Sequence, residues 1–171
     1  CCIAALKEHD PDAWTGKFLT VVTNDERQFN APGVRVPMLS LSRVPKPLNF
    51  SSHSYPVLYQ EYHSDHDSPV ITSLDSLRDS CDLIVKMIDI FENNLIPVNK
   101  HKGEIFCSRY GLSLDFADPE ENQIFREIMF LMDGSRTILE IADECGVPFS
   151  VAKSIIYKYY NHGAIEFKET K

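Results

Sequence analysis

The sequence contains none of the short motifs by which many catalytic sites are recognised. It has no glycine-rich phosphate loop, no nucleophile elbow around a serine and no H-E-x-x-H zinc helix. Its five cysteines include no C-x-x-C pair, so we expect free thiols in a reducing cytoplasm rather than a disulfide framework or a cysteine zinc site. No apolar run approaches the roughly 20 residues needed to cross a bilayer. A globular, cytoplasmic protein is therefore expected.

Positively charged residues are also scarce. The 171 residues include 17 Lys and Arg against 25 Asp and Glu, which gives a net charge of −8. This balance argues against a surface dedicated to nucleic acid, and against binding to anionic membranes. An apolar content of 43% and a charged content of 25% are typical of a globular protein with a core. The length suits one ordinary domain, or a partial domain with a small module.

Two strands and one long helix are predicted in the first two thirds of the chain. Residues 17–23 and 34–41 are predicted to be strands because they are rich in β-branched and apolar residues. The irregular, proline-rich stretch 43–72 separates them from a helix that ends near Asn93 and Asn94. Apolar residues recur along this helix at helical spacing and predict a core-facing stripe: Leu74, Leu77, Cys81, Ile84, Met87, Ile88 and Phe91.

The last third of the chain has the pattern of a winged helix. Three helical segments are followed by an alternating, strand-like segment, which is the element order of that module. The predicted helices cover residues 120–132, 137–145 and 149–161, and the predicted strand covers residues 164–167. A boundary near residue 115 divides the chain into a first domain, 1–114, and a winged-helix domain, 115–171.

Two polar motifs, 38 residues apart, carry the side chains best suited to binding a metal ion. Asp25 lies in N-D-E-R-Q, directly after the first predicted strand, and His63 lies in E-Y-H-S-D within the irregular stretch. Carboxylate and imidazole groups are ligands that zinc takes from proteins. A catalytic zinc ion usually has three protein ligands and a water. We therefore expect further ligands upstream of Cys1, so that this chain is the C-terminal fragment of a larger enzyme and is inactive alone.

These segments resemble a family of bacterial aminopeptidase-like proteins, in which a co-catalytic zinc aminopeptidase domain precedes a C-terminal winged helix. The segments that match are N-D-E-R-Q-F-x-A-P-G-V-x-V-P at 24–37, E-Y-H-S at 61–64, the end of the long helix at 90–94, and the tail from 132 to 149. The resemblance implies an α/β fold. The chain would form the C-terminal part of a zinc-aminopeptidase-like mixed sheet with flanking helices, followed by a small winged-helix domain.

The resemblance also implies a function. The intact protein would hydrolyse a peptide or amide bond with metal-activated water, using one or two zinc ions and a peptide or small amide substrate. Asp25 and His63 match two of the family's metal ligands, and the general base matches no residue of this chain. Glu26, Arg27 and Tyr62 are implied to support the site by orienting a ligand or contacting the substrate.

The alternative is a non-enzymatic interaction module in which the winged helix binds a protein or DNA. In the segment 149–161, Lys153 and Lys158 occupy the positions of a recognition helix. Residues 119–171 nevertheless hold six Lys or Arg against nine Asp or Glu, a net charge of −3, which argues against DNA. Docking of the tail on its own peptidase domain, or formation of a homo-oligomer, is the favoured interpretation.

Overall fold

The computed structural model describes residues 1–19, 25–43, 59–112 and 119–168, with side chains in the last range described from residue 122 onward. The chain divides into two compact units. Unit 1 comprises Cys1–Pro11 and Leu83–Lys171, and unit 2 comprises Asp12–Asp82. The first eleven residues therefore belong to the unit that the C-terminal half of the chain forms.

Six α-helices and one small sheet make up the regular structure of the described residues. In chain order the elements are α1 (Cys2–His9), α2 (Glu26–Phe29), α3 (Leu74–Asn93), β1 (Pro97–Asn99), α4 (Pro119–Leu131), α5 (Ile138–Cys145), α6 (Phe149–Asn161) and β2 (Ile165–Phe167). Short 3₁₀ helices span Pro69–Ile71 and Cys107–Tyr110. Strands β1 and β2 pair antiparallel, with Val98 opposite Glu166. Helices combined with a small sheet agree with the α/β class, whereas the larger mixed sheet and the winged helix stay predictions.

The hydrophobic core of unit 1 lies among α4, α5 and α6. Apolar residues of each helix recur three or four positions apart, so that one face of each helix is buried against the other two. The residues of α6 in this core are Phe149, Ala152, Ile155, Ile156 and Tyr159, and those of α5 are Ile138, Ile141 and Ala142. Ala5 of α1 is fully buried as part of the same cluster.

Local hydrogen bonds determine where α5 and α6 begin and end. Thr137 and Glu140 form a capping box at the start of α5, and Gly146 ends this helix in the left-handed conformation, with φ of +64°. At the start of α6, the backbone N–H of Phe149 donates to Glu8 Oε1 at 2.6 Å. A carboxylate of α1 thus satisfies a backbone donor that has no partner within α6.

The predicted helices are confirmed. Helix α3 ends at Asn93, as expected, and its first turn is capped by Ser73, whose hydroxyl accepts from the N–H of Ser76 at 3.3 Å. The three helices of the tail are α4, α5 and α6, and the strand after them is β2. The predicted domain boundary near residue 115 lies outside the described residues and stays a prediction.

The predicted buried strand over residues 34–41 is wrong. Residues 35–43 form neither helix nor strand, and side chains of this segment such as Val34 and Leu39 are about half exposed. The segment folds back on α2 instead, because the N–H of Val36 donates to Phe29 O at 2.8 Å and Asn30 Nδ2 donates to Met38 O at 2.7 Å. The other predicted strand covers residues 17–23. Its described part, residues 17–19, ends in a turn, and the rest lies outside the described residues, so this strand stays a prediction.

The predicted core-facing stripe of α3 is also wrong, except at Met87. The residues of α3 that are buried are Leu83 and Ile90, with Met87 partly buried between them. Most residues of the predicted stripe are exposed to solvent, including Leu77 at 52% and Ile88 at 56%. Helical spacing indicates that a stripe of apolar residues exists, but α3 carries two such stripes. The stripe that packs on the core of unit 1 is the one through Leu83 and Ile90.

Candidate functional site

Asp25 lies at the N-terminus of α2, in unit 2. Its backbone carbonyl accepts from the N–H groups of Gln28 at 2.9 Å and Phe29 at 3.3 Å, which starts the short helix. Its side chain makes no capping hydrogen bond and is exposed. The carboxylate is therefore directed to solvent and is accessible to an external ligand.

Glu26 is the residue next to Asp25, and its environment is the opposite. It is 4% exposed, so among the described residues Glu26 is a charged residue that is buried. Asn30 fixes this turn, because its Nδ2 donates to Glu26 O and to Met38 O, each at 2.7 Å. A buried carboxylate needs compensating hydrogen bonds or charges. Glu26 is thus held inside unit 2, while Arg27 on the same helix is exposed.

His63 lies in a series of turns, residues 59–67, that we call the histidine loop. The imidazole is exposed and stacks on the ring of Tyr62, with centroids 3.9 Å apart and planes inclined by 19°. The backbone of His63 has φ of +62°, in the left-handed region that residues other than glycine seldom adopt, although histidine does so more readily than most. The ring therefore has a defined orientation even though it is accessible to solvent.

Hydrogen bonds across the histidine loop close it. The hydroxyl of Tyr59 donates to Asp67 Oδ2 at 2.7 Å. This bond raises the pKa of Tyr59, because it favours the protonated phenol next to a carboxylate. Between these two residues, Ser64 Oγ donates to Glu61 O at 2.7 Å and accepts from the N–H of His66 at 3.2 Å. The side chains on both sides of His63 are thus fixed by local contacts.

The structure brings together some of the predicted site residues. Tyr62 and His63 are in direct contact, and Asp25 and Glu26 are neighbours at the start of α2. Asp25 and His63 both belong to unit 2, but no hydrogen bond or ion pair joins them within the described residues. Nor do the described residues contain a group of three His, Cys, Asp or Glu side chains arranged to hold a metal ion. The donor types fit zinc, and the number of ligands does not complete a zinc site.

One polar network was not predicted from the sequence. In unit 1, Lys153 Nζ of α6 lies 2.6 Å from both carboxylate oxygens of Asp89 on α3. Asn93 Nδ2 donates to Asp89 Oδ1 at 2.9 Å, and Tyr157 OH donates to Asn93 Oδ1 at 2.9 Å. The signal was the spacing of four residues within each pair, 89 with 93 and 153 with 157. Nothing in the sequence indicates that these two helix faces meet.

The family model of a domain of unknown function, DUF4910, matches residues 2–94, a little over half of the chain. The chain belongs to this family. Asp25 and His63 both lie within the matched region. No curated protein matches the sequence.

A solved structure shows the fold of nearly the whole chain. This structure is that of a candidate peptidase from Clostridium acetobutylicum, with a TM-score of 0.65 and 18% sequence identity. The similarity covers 98% of this DUF4910 chain and 35% of the clostridial protein. The chain therefore spans about a third of the length of that protein. At this level of identity the likeness shows a shared fold.

No helix in the described part of the chain is long and apolar enough to cross a membrane.

Proposed function

We propose that the chain forms part of a peptidase-like hydrolase that acts on peptides or small amides. The observation that carries the proposal is the structural similarity to the clostridial candidate peptidase, which extends over 98% of the chain. The accessible carboxylate of Asp25 and the oriented imidazole of His63 supply chemistry suited to such an enzyme. Both lie within the region that defines the family.

In this proposal Asp25 and His63 each bind zinc, and one or two zinc ions serve the intact enzyme. Bound zinc lowers the pKa of a coordinated water to about 7 and polarises a carbonyl group. Two ligands do not complete a catalytic zinc site, and in this proposal a part of the enzyme outside these 171 residues supplies the other ligands and the general base. The chain by itself is therefore expected to be inactive, and turnover of aminoacyl amides by the pure chain would refute this part of the proposal.

The neighbouring residues have supporting roles. Tyr62 orients the imidazole of His63 by stacking on it. Glu26, the residue after Asp25, is buried, and its backbone carbonyl accepts from Asn30 in the turn that leaves Asp25 exposed. Arg27 is exposed on the same short helix, where it is available to a substrate carboxylate. Such residues around a metal ligand commonly alter metal affinity by 10- to 100-fold.

Titration of Zn²⁺ into the purified chain, in competition with a chromophoric chelator, tests the two ligands. We expect Asp25→Ala and His63→Ala each to lower the affinity by about tenfold or more. His66→Ala is the matched control, because its side chain is 83% exposed and lies three positions from His63. It should bind Zn²⁺ as the wild type does. Unchanged affinity in both ligand variants would refute the assignment of Asp25 and His63.

For the last third of the chain we propose a winged-helix module that contacts protein rather than DNA. Helices α4, α5 and α6 and strand β2 supply the required element order, and β2 pairs with β1. The ion pair with Asp89 holds Lys153, which leaves Lys158 as the exposed lysine on this helix. A winged helix that reads DNA would need several free cations on this helix. Docking within the enzyme, or between copies of it, is the role that the charge distribution favours.

A further inference from the structure

The histidine loop contains two residues, Tyr59 and Asp67, to which the proposed function gives no role. They stand at opposite ends of the loop, eight positions apart, and His63 lies midway between them. Their side chains meet in one hydrogen bond of 2.7 Å, from the hydroxyl of Tyr59 to Asp67 Oδ2. The bond therefore closes the loop around the proposed zinc ligand without involving His63 itself.

A second contact connects this closure to the imidazole. The ring of Tyr59 packs edge-on against Tyr62, with centroids 5.3 Å apart and planes inclined by 69°. Tyr62 in turn stacks on His63 at 3.9 Å. The edge-on geometry of Tyr59 and Tyr62 is a favourable one for aromatic pairs. Three rings in a row thus lead from the hydrogen bond at the base of the loop to the imidazole.

His63 has a particular need for such support. Its side chain is exposed, so the core of unit 2 does not fix the ring. Its backbone has a positive φ, a conformation that persists in a residue with a side chain when the surrounding structure holds it there. A metal ligand whose orientation is set in advance loses less conformational entropy when it binds. The contacts that orient His63 are therefore also contacts that strengthen its binding.

We propose that the hydrogen bond between Tyr59 and Asp67 is a clasp that positions the imidazole of His63, acting through the ring of Tyr62. Tyr59 and Asp67 are positioning residues and do not themselves bind metal or substrate. The value of the clasp for zinc binding rests on the proposed function, whereas its effect on the orientation of His63 does not. The two effects can therefore be measured separately.

The orientation of His63 is measured by NMR of its imidazole protons, assigned with a His63→Gln variant. Stacking on Tyr62 shields these protons, so in the wild type their resonances should lie upfield of those of the exposed His66. Tyr59→Phe removes the hydroxyl but keeps the ring against Tyr62. We expect this variant and Asp67→Ala to move the His63 resonances toward those of His66.

Asp67→Asn is the rescue variant, because the amide oxygen can still accept the hydrogen bond from Tyr59. It should keep the His63 resonances close to those of the wild type. Tyr160→Phe is the matched control, because it removes a hydroxyl from an exposed tyrosine that lies in unit 1. Far-UV circular dichroism of each variant checks that the fold is retained.

Titration with Zn²⁺ alone provides the second measurement. We expect Tyr59→Phe and Asp67→Ala to lower Zn²⁺ affinity by about tenfold, and Asp67→Asn and Tyr160→Phe to leave it within a factor of two or so. Displaced resonances together with weakened Zn²⁺ binding support the proposal in full. If the resonances are displaced in the two variants but the wild-type chain binds no Zn²⁺, the clasp is supported and Zn²⁺ binding by these 171 residues is refuted. If the His63 resonances are the same in Tyr59→Phe, Asp67→Ala and the wild type, the clasp does not exist.

Discussion

Glu8 and Thr137 each satisfy a backbone N–H group that the first turn of a helix leaves without a partner. Thr137 acts locally, since its hydroxyl accepts from Glu140 N at 3.3 Å. Glu8 acts across the fold, since it accepts from the N–H of Phe149, 141 positions away in the sequence. Such caps contribute about 0.5–2 kcal/mol each. Only the cap at Thr137 follows a sequence rule, because its partner lies three residues away.

Replacement of Glu8 by Ala should therefore destabilise unit 1. The N–H of Phe149 would lose its acceptor in a partly buried hydrogen bond, and we expect the free energy of unfolding to fall by about 1 kcal/mol. Urea unfolding followed by circular dichroism measures this change. Glu92→Ala, at an exposed position of α3, is the matched control. An equal effect of both substitutions would contradict the capping role of Glu8.

The capping box should also make stability depend on pH. The backbone N–H of Thr137 donates to Glu140 Oε2 at 2.7 Å and, with the Thr137 hydroxyl, lowers the pKa of Glu140 below its ordinary value of 4.5. Stability from a lowered carboxyl pKa is present above the ordinary value and is lost as the pH falls through the folded value. Glu140→Gln should therefore lose less stability than the wild type between about pH 5 and pH 3. Identical losses in acid-unfolding experiments would contradict this assignment.

The site residues show how far single positions can be interpreted from sequence. The accessible side chains of Asp25 and His63 agree with what a ligand requires, and the metal-binding roles themselves stay predictions. The burial of Glu26 and the bond between Tyr59 and Asp67 were not predicted. Turn residues carry no periodic pattern, so sequence does not indicate which of them meet. The loop conformation decides this, and it depends on hydrogen bonds formed only in the folded chain.

Helix α3 shows why an amphipathic pattern can identify an element and still mislead about its packing. The spacing of apolar residues predicted the helix correctly, and the capping serine and the final asparagine limit it. Ile88 and Ile90 are both apolar, yet only the second faces the core of unit 1. The choice between two apolar stripes depends on the partner surface. That surface is formed by residues distant in the sequence.

Alanine substitutions at these two isoleucines test the observed packing. Ile90 is 3% exposed, so Ile90→Ala should cost about 2–5 kcal/mol through lost burial and a cavity. Ile88 is 56% exposed, so Ile88→Ala should change the stability by no more than about 0.5 kcal/mol. Urea unfolding of the two variants provides the comparison. A larger loss from Ile88→Ala would show that the predicted stripe, and not the observed one, is buried.

The predicted strand over residues 34–41 failed for a different reason. The segment 34–41 has β-branched and apolar residues, but Pro37 interrupts it, and Arg35 adopts a positive φ of 52°. Backbone hydrogen bonds to α2 replace those of a sheet ladder. Composition alone favours a strand only where a neighbouring strand is available to pair. The tail was predicted more accurately, since α4, α5 and α6 have clear periods and sharp breaks at glycine and proline.

For the whole molecule, the comparisons and the structure agree on the fold, whereas the hydrolytic reaction and its zinc ligands are proposals. The chain belongs to DUF4910 and shares its fold with about a third of a clostridial candidate peptidase. Its two proposed zinc ligands lie in unit 2, and its negatively charged tail lies in unit 1. A shared fold does not by itself imply shared chemistry. The central claim is therefore that Asp25 and His63 serve a peptidase-like reaction.

Hydrolysis of aminoacyl amides by the intact gene product, loaded with Zn²⁺, tests this claim most directly. We expect turnover, with kcat/KM reduced on the order of 100-fold or more in Asp25→Ala and in His63→Ala, since loss of a ligand should exceed the effect of a residue that only supports one. His66→Ala, at the exposed neighbouring histidine, should retain wild-type activity. Full activity in the two ligand variants, or no activity in the wild type with any peptide or amide tested, would contradict the account.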